Sequence, residues 1–173
     1  ELASENVRID IPCNVVSPPD TLAGLLYMFN IHNFREAWEL MPTALSLQLV
    51  MGELGEKDTR KLSNLTGLSE PQVERCKLIL EFDEKYRQMS LDPNPKTRIP
   101  SNFWIEAKPV LELAKTHLPD LFKKFGDSGI LDRLVEKYRI KKIKSVIHFR
   151  RIAEAFENYA AQPETLALVA SAL

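Results

Sequence analysis

Apolar residues recur along this chain at the spacing of helices rather than strands. The clearest stripes keep to one helix face and comprise Phe103, Trp104, Ala107, Val110, Leu111 and Ala114, then Phe149, Ile152, Ala153 and Phe156. Further helices are predicted at residues 21–32, 43–54, 58–66, 69–80, 82–91, 119–125, 129–139 and 163–173. Near the amino terminus the β-branched run VRIDIPCNVV predicts an extended segment. The pattern therefore predicts a mainly α-helical protein with a short extended N-terminal segment.

Capping residues indicate where the first helices begin. Ser17 is predicted to cap the first helix, with Asp20 in the reciprocal position of a capping box. Asn33 and Glu36 repeat this pattern before a helix that we expect to be kinked or interrupted at Pro42.

The stretch LSNLTGLSEPQVERCKLIL, residues 62–80, predicts two short helices joined by a sharp turn. Gly67 can adopt the left-handed conformation that ends the first helix, which opens at Asp58. Ser69 and Gln72 are predicted to form a capping box at the start of the second helix. The apolar residues expected to hold the two helices together are Leu62, Leu65, Leu68 and Val73. Residues 58–80 fit a helix–turn–helix, and the alternative is an ordinary corner of an all-α protein.

Polar residues on the second helix lie off its apolar stripe, as in helices that enter the DNA major groove. We expect Gln72 to pair with adenine, Arg75 with guanine or a phosphate, and Ser69 with a phosphate. Glu70 can accept a hydrogen bond from cytosine, although two acids, Glu70 and Glu74, weaken the attraction of this helix for phosphate.

Charge is distributed unevenly along the chain. The net charge is −1, yet the segment KYRIKKIKSVIHFRRIA contains no acidic residue. Its basic residues are Lys137, Arg139, Lys141, Lys142, Lys144, His148, Arg150 and Arg151. Such a surface binds a phosphate backbone with a strong dependence on salt, because each contact releases counterions. The alternative interpretation is a solvated face between helices.

No complete catalytic constellation is present in the sequence. The spacing of Cys13 and Cys76 matches neither a metal site nor a disulfide framework, so we expect a reducing, cytoplasmic compartment. The three histidines lack metal-ligand spacing, and the sequence contains neither a phosphate-binding GxxxxGK[ST] loop nor GxGxxG. No apolar run reaches the roughly 18 residues that span a bilayer. We therefore predict no catalytic residue, no metal site and no membrane partner.

Four segments, IDIPCNVV, FNIHNFREAWELMPTAL, LSNLTGLSEPQVERCKLIL and KYRQM, together resemble the ParB/RepB partition-protein family over residues 9–91. In that family an extended segment ends a small α/β domain. A helix, an asparagine-containing box, a proline-led helix and a DNA-binding helix–turn–helix follow in that order. The resemblance implies a bacterial or phage-encoded, nucleoid- or plasmid-associated protein that binds double-stranded DNA and self-associates.

The resemblance and the prolines of DPNPKTRIP together predict a domain organisation. Residues 1–16 would be the extended end of a ParB-like N-terminal domain. Residues 17–91 would form the helical domain that contains the helix–turn–helix. Residues 92–100 would be a linker to a C-terminal helical subdomain, residues 101–173.

One box of the family departs from its pattern in this chain. Family members that hydrolyse CTP use Glu-Asn-x-x-Arg to bind the nucleotide and Mg²⁺. Asn30 matches, whereas Phe29 stands in the place of the acid and Asn33 in the place of the arginine. The preceding Gly-Glu-Arg-Arg box is not in this sequence, which does not begin with Met. We therefore expect a fragment without its own cofactor, in which CTP and Mg²⁺ binding and CTPase activity require a missing N-terminal half.

The sequence predicts sequence-specific binding of double-stranded DNA by the helix–turn–helix of residues 58–80, in a ParB-like partition or regulatory protein. The residues expected to hold the DNA backbone are Lys141, Lys142, Lys144, Arg150 and Arg151. Two alternatives stay open: a helical module for protein interaction or oligomerisation, and a DNA clamp switched by CTP.

Overall fold

The computed structural model describes residues 15–34, 39–159 and 161–172. Over these ranges the chain is all-helical, with nine helices and no strand. They are α1 (Thr21–Phe34), α2 (Leu40–Leu54), α3 (Thr59–Thr66), α4 (Glu70–Leu80), α5 (Glu84–Ser90), α6 (Ser101–His117), α7 (Pro119–Arg139), α8 (His148–Tyr159) and α9 (Pro163–Ala172). The predicted mainly α-helical class is confirmed for this part of the chain. The predicted extended segment lies outside the described residues, except for Val15 and Val16, which are exposed and form no strand.

The start of α1 differs from the prediction. Asp20, rather than Ser17, caps the helix, because its Oδ1 accepts a hydrogen bond from the Ala23 N–H at 2.7 Å. The two prolines between Ser17 and Asp20 suit an extended approach as well as a first helical turn, so the sequence allowed both caps. The predicted cap at Asn33 and Glu36 lies outside the described side chains.

Two features of the backbone decide where the later helices run. Pro42 lies in the first turn of α2, where a missing N–H breaks no hydrogen bond, so the predicted interruption is wrong. Gly126 has φ 64° and ψ −177° and breaks α7 into the two helical stretches that the sequence predicts at 119–125 and 129–139.

The core is built around Trp104 of α6, which is fully buried. Its ring meets Phe103 edge to face with centroids 4.8 Å apart and lies 5.3 Å from the ring of Tyr86. Its Nε1–H donates to the Oγ of Ser90 at 2.7 Å, so the buried donor has a partner. Around this centre α4 packs on α2 and α3, while α6 packs on α7 and α8.

The proline-rich stretch 92–100 connects α5 to α6 and is itself packed. Ile99 is buried in the core, and its N–H donates to the carbonyl oxygen of Met89 at 2.9 Å. Helices on both sides of this connection contribute to one continuous core. The two subdomains on either side of it stay a prediction.

Candidate functional site

The turn between α3 and α4 is formed by local capping interactions. Asp58 caps α3 by accepting from the Lys61 N–H at 2.8 Å. Gly67 has φ 73° and ψ 2°, and its N–H donates to the Ser63 carbonyl oxygen at 2.9 Å. These observations confirm the predicted helix boundaries. We refer to residues 58–80 as the α3–α4 corner.

The apolar contacts that hold the corner together differ from the prediction at one residue. Leu62, Leu68 and Val73 are buried as expected, but Leu65 is 41% exposed. Thr66 takes the inward position instead, with its Oγ1 donating to the Leu62 carbonyl oxygen at 2.7 Å. The Thr66 hydroxyl is therefore hydrogen-bonded within α3, and the surface that α3 packs against α4 stays mostly apolar.

The first turn of α4 is organised by a capping box between Ser69 and Gln72. The Oε1 of Gln72 accepts from the Ser69 N–H and from the Ser69 hydroxyl, both at 2.8 Å. A bidentate contact to adenine needs this same oxygen as an acceptor. Ser69 and Gln72 therefore act as a helix cap. To contact a base through this oxygen, Gln72 would have to break its hydrogen bonds with Ser69. Glu70, exposed in the same turn, lies where a negative charge stabilises the helix dipole.

The flank of α4 that faces α3 is neutralised. The Thr59 hydroxyl donates to the Glu74 carboxylate, and the Lys77 Nζ lies 3.4 Å from it. The hydrogen bond from Thr59, with the charge of Lys77 adding to it, holds the pKa of Glu74 below its usual range. One of the two acids that count against a phosphate-binding helix is thus paired and directed toward α3.

The other flank of α4 faces α6, and it carries Arg75. This exposed guanidinium donates to the Oδ1 of Asn102 at 3.2 Å. On the same side of α6, Glu106 binds Arg150 through two hydrogen bonds, of which the one from Nε is 2.8 Å long. The hydrogen bond from Arg150, with the charges of Arg150 and Arg75 adding to it, holds the pKa of Glu106 below its usual range. Arg75, Glu106 and Arg150 therefore form one electrostatic cluster across three helices.

Two neighbouring depressions lie between Asn102 and the basic segment. Asn102 lines a depression of about 470 Å³ together with Arg98 and Tyr138. The latter two residues also line a second cleft, whose walls include Lys141 and Lys144. Asn102, the partner of Arg75, is thus connected to these lysines through two depressions that share Arg98 and Tyr138.

The basic segment is exposed where α7 ends. Lys141, Lys142, Lys144 and Arg151 are exposed, as is Arg150, whose charge is matched by Glu106. Burial lowers the pKa of Lys137, and the positive charges of Arg133 and Lys142 lower it further, which indicates a local surplus of positive charge.

Lys141 has an unusual backbone conformation. Its φ of 59° is the only positive value at a non-glycine residue in the described ranges. The Lys142 N–H donates to the Lys137 carbonyl oxygen at 2.9 Å and the Lys141 N–H to that of Tyr138 at 3.0 Å, the pattern of a Schellman cap. Glycine is the usual residue here, and a side chain in this conformation costs about 1–2 kcal/mol.

The other features considered in the sequence form no site with the α3–α4 corner or the basic segment within the described residues. Asn30 is exposed on α1, next to Phe29, which is 2% exposed and belongs to the core. Burial raises the pKa of the Cys76 thiol to about 11, which keeps it protonated and unreactive. The described ranges contain no group of three or more His, Cys, Asp or Glu that could hold a metal ion. None of the helices described is long and apolar enough to cross a bilayer.

Sequence reasoning missed Asn102, Glu106 and Arg98. Asn102 and Glu106 lie beside the apolar stripe of α6, and Arg98 lies in the segment interpreted as a linker. Nothing near them in sequence indicates that they adjoin α4 and the basic segment.

The chain matches no protein-family model, and comparisons with curated proteins and with solved structures gave no match.

Proposed function

We propose that this protein binds double-stranded DNA in a sequence-specific manner, as a ParB-like partition or regulatory protein. In this proposal the α3–α4 corner acts as a helix–turn–helix, and α4 enters the major groove. The observation that supports the proposal is that Arg75 of α4 donates to Asn102 and Arg150 of the basic segment binds Glu106, two residues that lie one turn apart on α6. A residue suited to base contact and one suited to phosphate contact therefore lie on the same surface.

The geometry favours Arg75 over Gln72 as the main base-contacting residue. Among the residues that the structure describes, Asn102 alone accepts a hydrogen bond from the Arg75 guanidinium, whereas the acceptor oxygen of Gln72 is engaged in the cap. An arginine that makes two hydrogen bonds to guanine contributes about 1–3 kcal/mol of discrimination against other bases. Lys141, Lys142, Lys144 and Arg151 would contact phosphates on either side and supply affinity without sequence preference.

The test is a selection from duplexes with a randomised core, followed by electrophoretic shift titration with the enriched duplex. Arg75→Ala should weaken binding about tenfold or more. Arg75→Lys keeps the charge but loses the planar fork, so it should relax the preference at one base pair while keeping affinity for unselected DNA.

Arg87→Ala is the matched control, because it removes one arginine from α5, where Arg87 donates to Gln48. This variant should bind the enriched duplex like the wild type. A selection that enriches no sequence, or equal binding by Arg75→Ala and Arg87→Ala, would contradict the proposal. Melting curves of each variant exclude loss of fold as the cause.

A helical interaction module is the second candidate, and exposed apolar side chains on α1 favour it. Tyr27, Met28 and Ile31 are between 44% and 50% exposed. Sedimentation equilibrium of the wild type and of Tyr27→Ser/Ile31→Ser tests this surface. Self-association that the double substitution abolishes, in a protein that selects no DNA, would favour this second function over the first.

A further inference from the structure

A basic cleft lies between the α5–α6 connection and the end of α7. It has a volume of about 280 Å³, and its basic lining residues are Lys96, Arg98, Arg139, Lys141 and Lys144. Small-ligand pockets typically enclose roughly 300–1,000 Å³. The cleft lies just below that range, so its volume suits a compact anion better than a large organic ligand.

Within residues 15–34, 39–159 and 161–172, two carboxylates lie close to these five basic residues. Glu39 lies with its carboxylate 3.4 Å from Arg98, at the side that opens to the neighbouring groove. Asp92 lies near Arg98 and Arg139, but its oxygens accept from the Asn94 N–H and the Thr97 hydroxyl. The cleft therefore keeps an excess of positive charge.

The same hydrogen bonds fix the shape of one wall. Besides binding Asp92, Asn94 accepts the Lys96 N–H at 3.0 Å through its side chain. Its backbone carbonyl accepts from the Thr97 and Arg98 N–H groups at 3.1 and 3.0 Å. This wall is therefore organised before any ligand arrives, which reduces the entropy lost on binding.

The opposite wall contains the strained residue. Lys141 occupies the position of the Schellman cap where glycine would remove the strain. Residues kept in such conformations cluster at functional sites, where a side chain is needed that glycine lacks. Lys141 lines the cleft, so the strained position is occupied by a basic residue of this wall.

We propose that this cleft is a binding pocket for a phosphate group. The residues that would bind the phosphate are Lys96, Arg98, Arg139, Lys141 and Lys144. Arginine forks and lysine ammonium groups are the side chains that bind phosphate oxygens in proteins. The phosphate comes either from a DNA backbone or from a free phosphorylated compound. The pocket shares Lys141 and Lys144 with the phosphate contacts of the proposed function, but it does not depend on the base contacts of α4.

Two titrations of the whole protein test the pocket and its ligand. In the first, inorganic phosphate is added and backbone amide resonances are followed by NMR. Saturable shifts are expected at residues 95–99 and 138–144. In the second, binding of an unselected DNA duplex is measured between about 50 and 200 mM salt.

Lys141→Gly is the informative variant, since it removes the charge and relieves the strain together. It should melt at the same or a higher temperature than the wild type and bind phosphate about fivefold more weakly. Lys123→Gln is the matched control, because Lys123 is an exposed lysine in the first half of α7. It should bind phosphate like the wild type.

The outcomes separate the two sources and the two proposals. If Lys141→Gly also lowers the salt slope for DNA by about 0.9, the ligand is a backbone phosphate. If it weakens phosphate binding alone, the ligand is a free phosphorylated compound, and the pocket stands even if the protein binds no DNA. Absence of saturable shifts at the cleft, or equal losses in Lys141→Gly and Lys123→Gln, would overturn the pocket and leave the role of α4 untouched.

Discussion

Glu106 offers the sharpest perturbation of the proposed DNA surface, because its carboxylate binds Arg150 and responds to the charge of Arg75. A phosphate that binds the same guanidinium of Arg150 must displace Glu106 or lie about 4 Å from it, where two unit charges in water repel by about 1 kcal/mol. Glu106→Gln should therefore tighten DNA binding about fivefold at low salt.

Fluorescence anisotropy with a labelled duplex, at low and at physiological salt, measures this change. The gain should shrink as salt rises, because exposed charges are screened over about 8–10 Å. Glu112→Gln is the control on the same helix: it removes the same charge from a residue that lies 3.6 Å from Lys108 instead. Unchanged or weaker binding by Glu106→Gln, or an equal gain in the control, would refute the reasoning.

The pH dependence of folding provides an independent check on the same residue. The folded pKa of Glu106 lies below its usual value of 4.5, so the pair stabilises the fold above that value and loses this contribution as pH falls through the folded pKa. Since the Arg150 side chain is 63% exposed, solvent screens the pair and its contribution to the free energy of unfolding is small. In urea denaturation, the free energy of unfolding should be higher for the wild type than for Glu106→Gln at neutral pH. The two values should converge in acid. A difference that persists in acid would assign it to packing.

Three further predictions concern the fold that supports the surface. Gly67→Ala should lower the free energy of unfolding by about 1 kcal/mol, because Gly67 has φ 73°. Gly52→Ala in α2 should raise it, because an added Cβ meets no described atom within 4 Å. Equal effects of the two substitutions in urea denaturation would refute the turn geometry. Ser90→Ala should lower it by about 1–3 kcal/mol by leaving the Trp104 indole N–H unpaired, and an unchanged melting temperature would contradict that hydrogen bond. In a Cys13→Ser background, Cys76 should react with a thiol reagent at neutral pH only after unfolding, since burial raises its pKa to about 11; rapid labelling of the native protein would contradict its burial.

The α3–α4 corner could be predicted from sequence because its determinants are local. The cap at Asp58 and the capping box of Ser69 and Gln72 each join residues three apart. The left-handed residue at Gly67 is equally visible in the sequence, since glycine is favoured in that conformation. The predicted burial of Leu65 was wrong, because leucines spaced three residues apart do not show whether Leu65 or Thr66 faces α4.

The candidate surface could not be predicted because its contacts are distant in sequence. Arg75 meets Asn102 across 27 positions, and Arg150 meets Glu106 across 44. The sequence identified the acid-free basic run but not which of its cations are paired in the fold. Arg150 was expected to be available to a phosphate backbone, yet a carboxylate from another helix binds it. Tertiary packing, rather than local composition, therefore sets the charge that a ligand encounters.

In a protein that binds DNA, an acid such as Glu106, which binds Arg150 and responds to the charge of Arg75, can affect both affinity and specificity. Repulsion between Glu106 and a phosphate acts on every duplex alike, whereas base contact by Arg75 acts only at a matching site. If Glu106 serves only to neutralise Arg150, Glu106→Gln raises affinity for selected and unselected duplexes by the same factor. If Glu106 also restrains the direction of Arg75, the substitution raises affinity for unselected duplexes more than for the selected one. Because genomic competition depends on this ratio rather than on either Kd alone, the second result would make Glu106 a residue that sets specificity without contacting a base.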